Sequence, residues 1–573
     1  MRGAFVLAAL LAAVASAQEQ VVVHADGDRQ IVTVQIANFV GTRPGGLGFL
    51  VVDVQNLDSR PHRFDLDAST PPWAGGDVAT TVSTTLGPLE RTKFFLPRPN
   101  SRLGNPELDV RIDNVQHLTS TAVGGGNGLA GLVLGDRAEV QSWATLVMQA
   151  LPTVASDAPA VQWARPEHFH DDWRLFTGFD AVLVDGRCAV PERTQEALRR
   201  FVFAGGLVVV ADADRLPPGA LRTLATTTLQ PHLHGLGRCV VVSRPGGDTT
   251  QLAAQLADVP RAGLEGWPAA PAFFTTLPIP GLGSAPALVF LAIVLAFAIA
   301  AGPVNFWLLR KWKRPLLVLA TVPALGLGTT ALMLGYGLVN DGLGVRGVAR
   351  SVTLLDQERH EAASLTMRTL FCGFSPSALT MSADSFVLAP RAFEHDQFRD
   401  PDRWHLDATT QQLDGGALPS RRPTPLLSAQ QGTARQRLRM RVVDADHVEL
   451  LADGGVAPIG VVLVHDFDGT WWSGNAPQLQ RVAPDAAKRE LESRLGEVAV
   501  MPTWTRERYD GEMLVDQVHA TIARFLVGGQ MPRGSYLAQV GDVPWIDEHG
   551  LDVAYDLRQH FVFGRFAAED VVR

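Results

Sequence analysis

The sequence predicts a multidomain chain: an N-terminal immunoglobulin-like β-sandwich, an α/β domain, two transmembrane helices and a C-terminal β-rich α+β domain. Three observations predict it. Residues 20–123 alternate apolar and polar side chains between turn signals. Residues 131–259 alternate strand-like with helix-like segments. Beyond Glu265, two long apolar stretches flank the basic cluster Arg310-Lys311-Trp312-Lys313-Arg314. At 573 residues, 46% hydrophobic and 19% charged, the chain has room for three or four domains and is too polar for a polytopic transporter. Its net charge of −9 excludes a general nucleic-acid surface, which needs a basic stripe to neutralise phosphates. Cys188, Cys239 and Cys372 are too few and too scattered for a disulfide framework or a zinc site, although one pair could form in an oxidising compartment. Only Lys93, Lys311, Lys313 and Lys488 are lysines among 50 basic residues, a bias we read as that of a GC-rich bacterial genome.

Residues 1–17 read as an export signal. Arg2 supplies the basic start, residues 4–14 the apolar core, and Ala15-Ser16-Ala17 the small residues for cleavage. An uncleaved N-terminal anchor is the alternative. In residues 18–123, "GFLVVDVQNLDSRPHRFDLDAS" places alternating runs on each side of a turn, and "TTLGPLERTKFFLPRP" and "LDVRID" add further strands. Short strands at this spacing over about one hundred residues predict a sandwich. The glycine-rich "VGGGNGLAG" precedes a strand instead of joining a strand to a helix, so it reads as a linker and not as a phosphate cradle.

Residues 124–265 form the α/β domain. "GLVLG" leads into a helix over "DRAEVQSWATLVMQAL", with a short strand near Val161. "FDAVLVDG", "LVVVADAD" and "GRCVVVS" are buried strands; "PERTQEALRRFVFAGG" and "DTTQLAAQLADV" are helices. Strands alternating with helices predict a parallel sheet covered on both faces.

After a linker over residues 266–286, no ionisable residue lies between Glu265 and Arg310. Residues 287–309 would form about 34 Å of helix, enough for a hydrocarbon layer of about 30 Å. Residues 315–339 are again uncharged and long enough. The joining loop, residues 310–314, carries four cations, and basic short loops stay cytoplasmic. Export signal, basic loop and returning second span agree: the chain sits in a bacterial cytoplasmic membrane with both large regions outside, the lipid bilayer its first partner. Residues 340–573 read as β-rich, with strands such as "RSVTLLDQ" and "IGVVLVHDFDGTWWSG" and helices over residues 483–495 and 509–529. Asp466 and Asp468 in "DFDGTW" lack the further ligands of a calcium loop and predict a turn. Residues 399–425 are polar and turn-rich, predicting a long connection.

"FDAVLVDG … PERTQEALRRFVFAGGLVVVADAD" resembles the class I glutamine amidotransferase-like fold, which is flavodoxin-like. Together with the β region before it and "GPVNFWLLRKWKR" after it, the chain resembles a family of bacterial membrane proteins in which an exported amidotransferase-like domain precedes a membrane hairpin. The resemblance covers most of residues 20–345, and its most specific piece is Gly302-Pro303-Val304-Asn305. It implies an envelope system with MoxR-type ATPases and von Willebrand A-domain proteins. Active amidotransferases hold a cysteine on the sharp turn after the strand that here reads "LVVVADAD". The matching positions are Ala211, Asp212, Ala213 and Asp214, with neither Cys nor Ser, and no His-x-Glu pair follows near the domain's end.

No catalytic, cofactor-binding or metal residue is therefore assigned, and no cofactor is expected. The expected function is a membrane-anchored extracytoplasmic binding or scaffold protein with protein partners in the cell envelope. The alternative is an exported hydrolase or amidase. It would use Cys188, one strand earlier in "DGRCAVPE", or a metal on His168, His170, His232 and His234. Imidazoles two apart share one face of a strand, and Asp171 and Asp172 could assist them. Both histidine segments otherwise read as exposed polar loops.

Overall fold

The computed structural model describes residues 18–242, 279–280, 287–388, 402–490 and 531–572, apart from short internal stretches. The export signal, His232 and the helices expected over 248–259 and 509–529 lie outside the described residues. Among the described residues the structure is multidomain and strand-rich, with four sheets and two apolar helices of membrane-spanning length.

The N-terminal strands are β1 (Gln18–Asp26), β2 (Arg29–Phe39), β3 (Leu47–Asn56), β4 (His62–Ser69), β5 (Val78–Leu86), β6 (Arg91–Pro99), β7 (Glu107–Ile112) and β8 (Val115–Thr121). Alternation decides their packing. Val32, Val34 and Ile36 of β2 and Leu50, Val52 and Val54 of β3 meet Phe64, Leu66, Val110 and Ile112 of the facing sheet in one apolar core. One sheet runs β1-β2-β3-β6, and the other contains β5-β4-β7-β8. Two sheets thus enclose a core, in an order that differs from the A-B-E-D and C-F-G of immunoglobulin domains.

The α/β region contains β9 (Ala130–Leu134), β10 (Ala160–Ala164), β11 (Ala181–Asp185), β12 (Leu207–Ala211), β13 (Leu233–His234) and β14 (Gly237–Val242). Helices α1 (Arg137–Ala150), α2 (Glu192–Phe203) and α3 (Ala220–Thr227) connect or flank them. All five residues of β9, β11 and β12 are buried, as strands covered on both faces require. The sheet order is β10-β9-β11-β12-β14, all parallel, with β13 antiparallel at the edge. Counted along the chain the parallel strands read 2-1-3-4-5, an open doubly wound order whose switch point lies between β9 and β11.

Next comes a helical hairpin. Its first arm is helical over Ala287–Ile299, takes a π-turn over Ala300–Val304 and resumes over Asn305–Lys311; the second arm is Val318–Asp341. Residues 289–311 and 315–336 are each long and apolar enough to cross a membrane, with mean hydropathies of 2.3 and 1.9, and hardly any of either is covered by the rest of the protein. That exposure is unlike the core helices of a soluble domain. Pro303 has no N–H to continue the α-helical ladder, and the π-turn absorbs the missing bond. Two residues on, buried Asn305 donates from Nδ2 to Thr321 Oγ1 at 2.8 Å, tying the arms together.

Beyond the hairpin, β15 (Val345–Asp356) begins four residues after the helix ends and pairs with β16 (Glu361–Cys372) and, in parallel, with Val553–Arg565 near the C-terminus. These belong to a 12-stranded sheet curled around Leu355, Met440, Val464, Trp472, Tyr536 and Val562. Gln357 closes that core. Its amide donates to Leu438 O at 2.9 Å and to Asp570 Oδ2 at 2.6 Å, and its carbonyl accepts from Tyr536 Oη at 2.7 Å.

Residues 399–425 are not simply the long connection expected. They supply β19 (Asp402–Leu406) and β20 (Thr410–Asp414), following β17 (Ala378–Ser382) and β18 (Ser385–Leu388). β19 pairs in parallel with β5, Asp402 opposite Val78 and Trp404 opposite Thr80. The sheet β17-β20-β19-β5-β4-β7-β8 is therefore built from both sides of the hairpin. Local polarity predicts a loop; a ready strand edge in the other region makes a hairpin of it. One apolar cluster likewise joins Phe39 and Phe49, Phe176 and Phe201, and Leu370, Leu379 and Leu413.

Polar contacts reinforce that junction. Arg199 of α2 lies 2.7 Å from Glu361, both side chains about one-fifth exposed, and Gln431 Nε2 donates to Arg200 O. A double-mutant cycle of Arg199→Met and Glu361→Gln, read by denaturant unfolding of the solubilised chain, should give a coupling of about 1–2 kcal/mol. Zero coupling would mean that the two regions do not meet.

Candidate functional site

In an open parallel sheet, ligands dock beyond the carboxyl ends of the strands at the switch point. Here those ends are Leu134 of β9 and Asp185 of β11, with Ala211 of β12 beside them. After β11 the chain turns through Gly186-Arg187-Cys188. The turn is fixed by Asp185, which is 2% exposed: its Oδ1 accepts the Arg187 N–H at 3.0 Å and its carbonyl the Cys188 N–H at 2.9 Å. Gly186 donates its N–H to Ala211 O at 2.8 Å, and a Cβ on it would lie 2.1 Å from Asp212 O, so no larger residue fits.

Asp212 directly follows β12, in the turn beside Gly186. Its backbone is left-handed, φ 54° and ψ 49°, a conformation that Asp tolerates better than most side-chain-bearing residues. Its carboxylate lies 3.4 Å from Arg187 Nε. The edge therefore presents a carboxylate and a guanidinium held by two mutually packed turns, with Cys188 half-buried against the apolar core. Such an arrangement can hold a polar ligand group in place. The turn after β12, Asp212-Ala213-Asp214, carries neither a hydroxyl nor a thiol, and the thiol at this edge is that of Cys188 in the neighbouring turn. Cys239 is fully buried and its thiol is pushed up to about 12 by burial, far from reactive thiolate territory.

The histidine candidates stand elsewhere. His168 and His170 are not in an exposed loop but buried between the sandwich and the α/β region. His168 meets Phe39 edge-on at 5.2 Å; His170 stacks on Phe176 at 4.4 Å and meets Phe49 at 4.6 Å. Asp172 is taken up by Arg174, with Nε at 2.8 Å from Oδ1 and Nη2 at 2.5 Å from Oδ2. His234 lies on the edge strand β13, and among the described residues no three His, Cys, Asp or Glu side chains stand in metal-ligating geometry. Burial pushes His170 down to about 4 against the pull of Asp172 and Asp171, so it packs as a neutral ring. Asp466 and Asp468 flank a tight turn between Val461–His465 and Trp471–Asn475, where Gly469 at φ 84° donates its N–H to Asp466 O.

A polar cluster on the sandwich escaped the sequence reading. His24 Nδ1 and His117 Nε2 lie 2.9 Å apart, linking edge strands β1 and β8 of opposite sheets. His62 sits between Asp113 (2.6 Å) and Asp58 (3.3 Å), which together raise its pKa against the opposing effect of burial. These residues come from separate turns and strand edges, and nothing in their spacing announces them.

No protein-family model matches the chain, and no curated protein matches it either.

Two outcomes follow from this geometry. Gly186→Ala should cost about 3 kcal/mol because its Cβ must displace the Asp212 main chain, whereas Asp212→Gly should unfold near the wild-type midpoint. For His170, the unfolded ring near 6.5 takes up its proton before the folded one, so stability present above pH 6.5 is lost as pH falls towards 4. The total loss is about 3 kcal/mol, and His170→Leu should flatten that slope. An unchanged pH profile in the variant would show that the imidazole is not buried.

Proposed function

We propose that the chain is a membrane-anchored extracytoplasmic binding or scaffold protein whose α/β region is an amidotransferase-like domain without catalytic activity. The observation that carries the reading is Asp212: an acidic residue, paired with Arg187, stands at the turn where the related chemistry needs a thiol or hydroxyl. The edge of the parallel sheet then serves recognition. Pairing of β5 with β19 supports the anchoring, because a continuous sheet cannot be split by a bilayer. Both large regions lie on one side of the membrane, the basic loop on the other, and the positive-inside rule makes that loop cytoplasmic. The resemblance to envelope proteins that work beside MoxR-type ATPases and von Willebrand A-domain proteins points to partners of that kind. The rival reading, a hydrolase working through Cys188, makes the opposite demand on that thiol.

The test is genetic complementation with the full chain in its membrane, alongside crosslinked capture of partners. Cys188→Ala should restore a deletion strain as well as the wild type does. Arg187→Glu, which reverses the charge at the sheet edge, should lower the yield of crosslinked envelope partners several-fold. Loss of complementation by Cys188→Ala at an unaltered unfolding temperature would transfer the argument to the hydrolase.

A further inference from the structure

The turn joining the two apolar helices carries more than a reversal of direction requires. The first arm closes with two backbone bonds: Arg314 N–H donates to Leu309 O at 3.1 Å, and Lys313 N–H donates to Arg310 O at 3.2 Å. This is the 6→1 and 5→2 pattern that ends helices on a left-handed residue, a position that glycine fills at no steric cost. Here the residue is Lys313, at φ 58°. The chain uses glycine freely nearby, at Gly302, Gly326 and Gly328, so a lysine in the glycine position gives up backbone ease for a charge.

That charge has company. Arg310, Lys311, Lys313 and Arg314 are all exposed, and none of the four pairs with a carboxylate among the described residues. No acidic residue lies between Glu265 and Asp341 to neutralise them. Lys311 Nζ lies 5.4 Å over the Trp307 ring, and Trp307 and Trp312 are 62% and 56% exposed. Exposed tryptophans at the end of an apolar helix belong at headgroup depth, where phosphates lie. Four cations without a carboxylate partner among the described residues, two indoles and a hydrogen-bonded turn occupy one end of the hairpin.

We propose that this turn is a binding site for the phosphate groups of acidic phospholipids in the leaflet it faces, with Lys313 kept at its left-handed position to complete the cationic set. The inference rests on the reading that both helices cross the bilayer. Basic residues beside a membrane each raise affinity for an anionic surface about fivefold, and the attraction is screened by salt.

The experiment uses the full chain reconstituted in phosphatidylcholine bilayers with trace spin-labelled phosphatidylglycerol or phosphatidylcholine. Electron spin resonance then reports the relative association of each lipid with the protein. The wild type should prefer phosphatidylglycerol, and high salt should erase the preference. Lys313→Gln and Lys313→Gly should each lower it about fivefold. Because Lys313→Gly also relieves the left-handed backbone, its loss of preference cannot be blamed on a damaged turn. Equal association of the two lipids with the wild type, or an unaltered preference in both variants, overturns the proposal. A chain that immobilises neither lipid is not in the bilayer at all, and that result removes the membrane reading together with the site.

Discussion

The parallel pairing of β5 with β19 is the constraint on which the rest of the structure depends. These strands come from opposite sides of the apolar hairpin, yet they share backbone hydrogen bonds and sit within one seven-stranded sheet. A sheet has no way to continue across hydrocarbon, where every unpaired N–H and C=O costs several kcal/mol. On the membrane reading proposed above, the two helices go out and come back; in the structure itself, the regions they separate in sequence share one sheet. The Arg199–Glu361 pair and the common apolar cluster from Phe39 to Leu413 follow from that closure.

Within that body the parallel sheet is positioned by its neighbours as much as by its own strands. Phe39, Phe49 and Phe95 of the sandwich cover His168 and His170, which turns a polar-looking segment into a buried joint. The switch-point edge, with Asp185, Arg187 and Asp212, is held by turns packed so closely that only glycine fits at position 186. The sheet needs the geometry of these turns whatever side chains they present.

What the sequence made legible was whatever depends on short-range pattern. Charge-free runs located both apolar helices, and β-rich alternation located most strands of the first two regions. The residue at the turn after β12 could be read directly, since it follows a clear buried strand. Three things were out of reach for a shared physical reason. The pairing of β19 with β5, the burial of His168 and His170, and the His24–His117 contact all depend on surfaces supplied by remote segments. Single-sequence periodicity carries no information about which remote edge a strand will find. The order of the sandwich strands was missed likewise: alternation shows which residues face inward, not which strands lie side by side.

The most direct measurement is sidedness at three introduced cysteines, placed one at a time in a Cys188→Ala background whose remaining cysteines, Cys239 and Cys372, are buried. Val115→Cys lies before the hairpin, Phe374→Cys after it, and Trp312→Cys in the turn, all at exposed positions. In intact spheroplasts, a membrane-impermeant maleimide should label the cysteines at 115 and 374 together, and the one at 312 only after the membrane is opened. Labelling of 115 and 374 from opposite sides would contradict the shared sheet, and with it the single body from which every other conclusion is drawn.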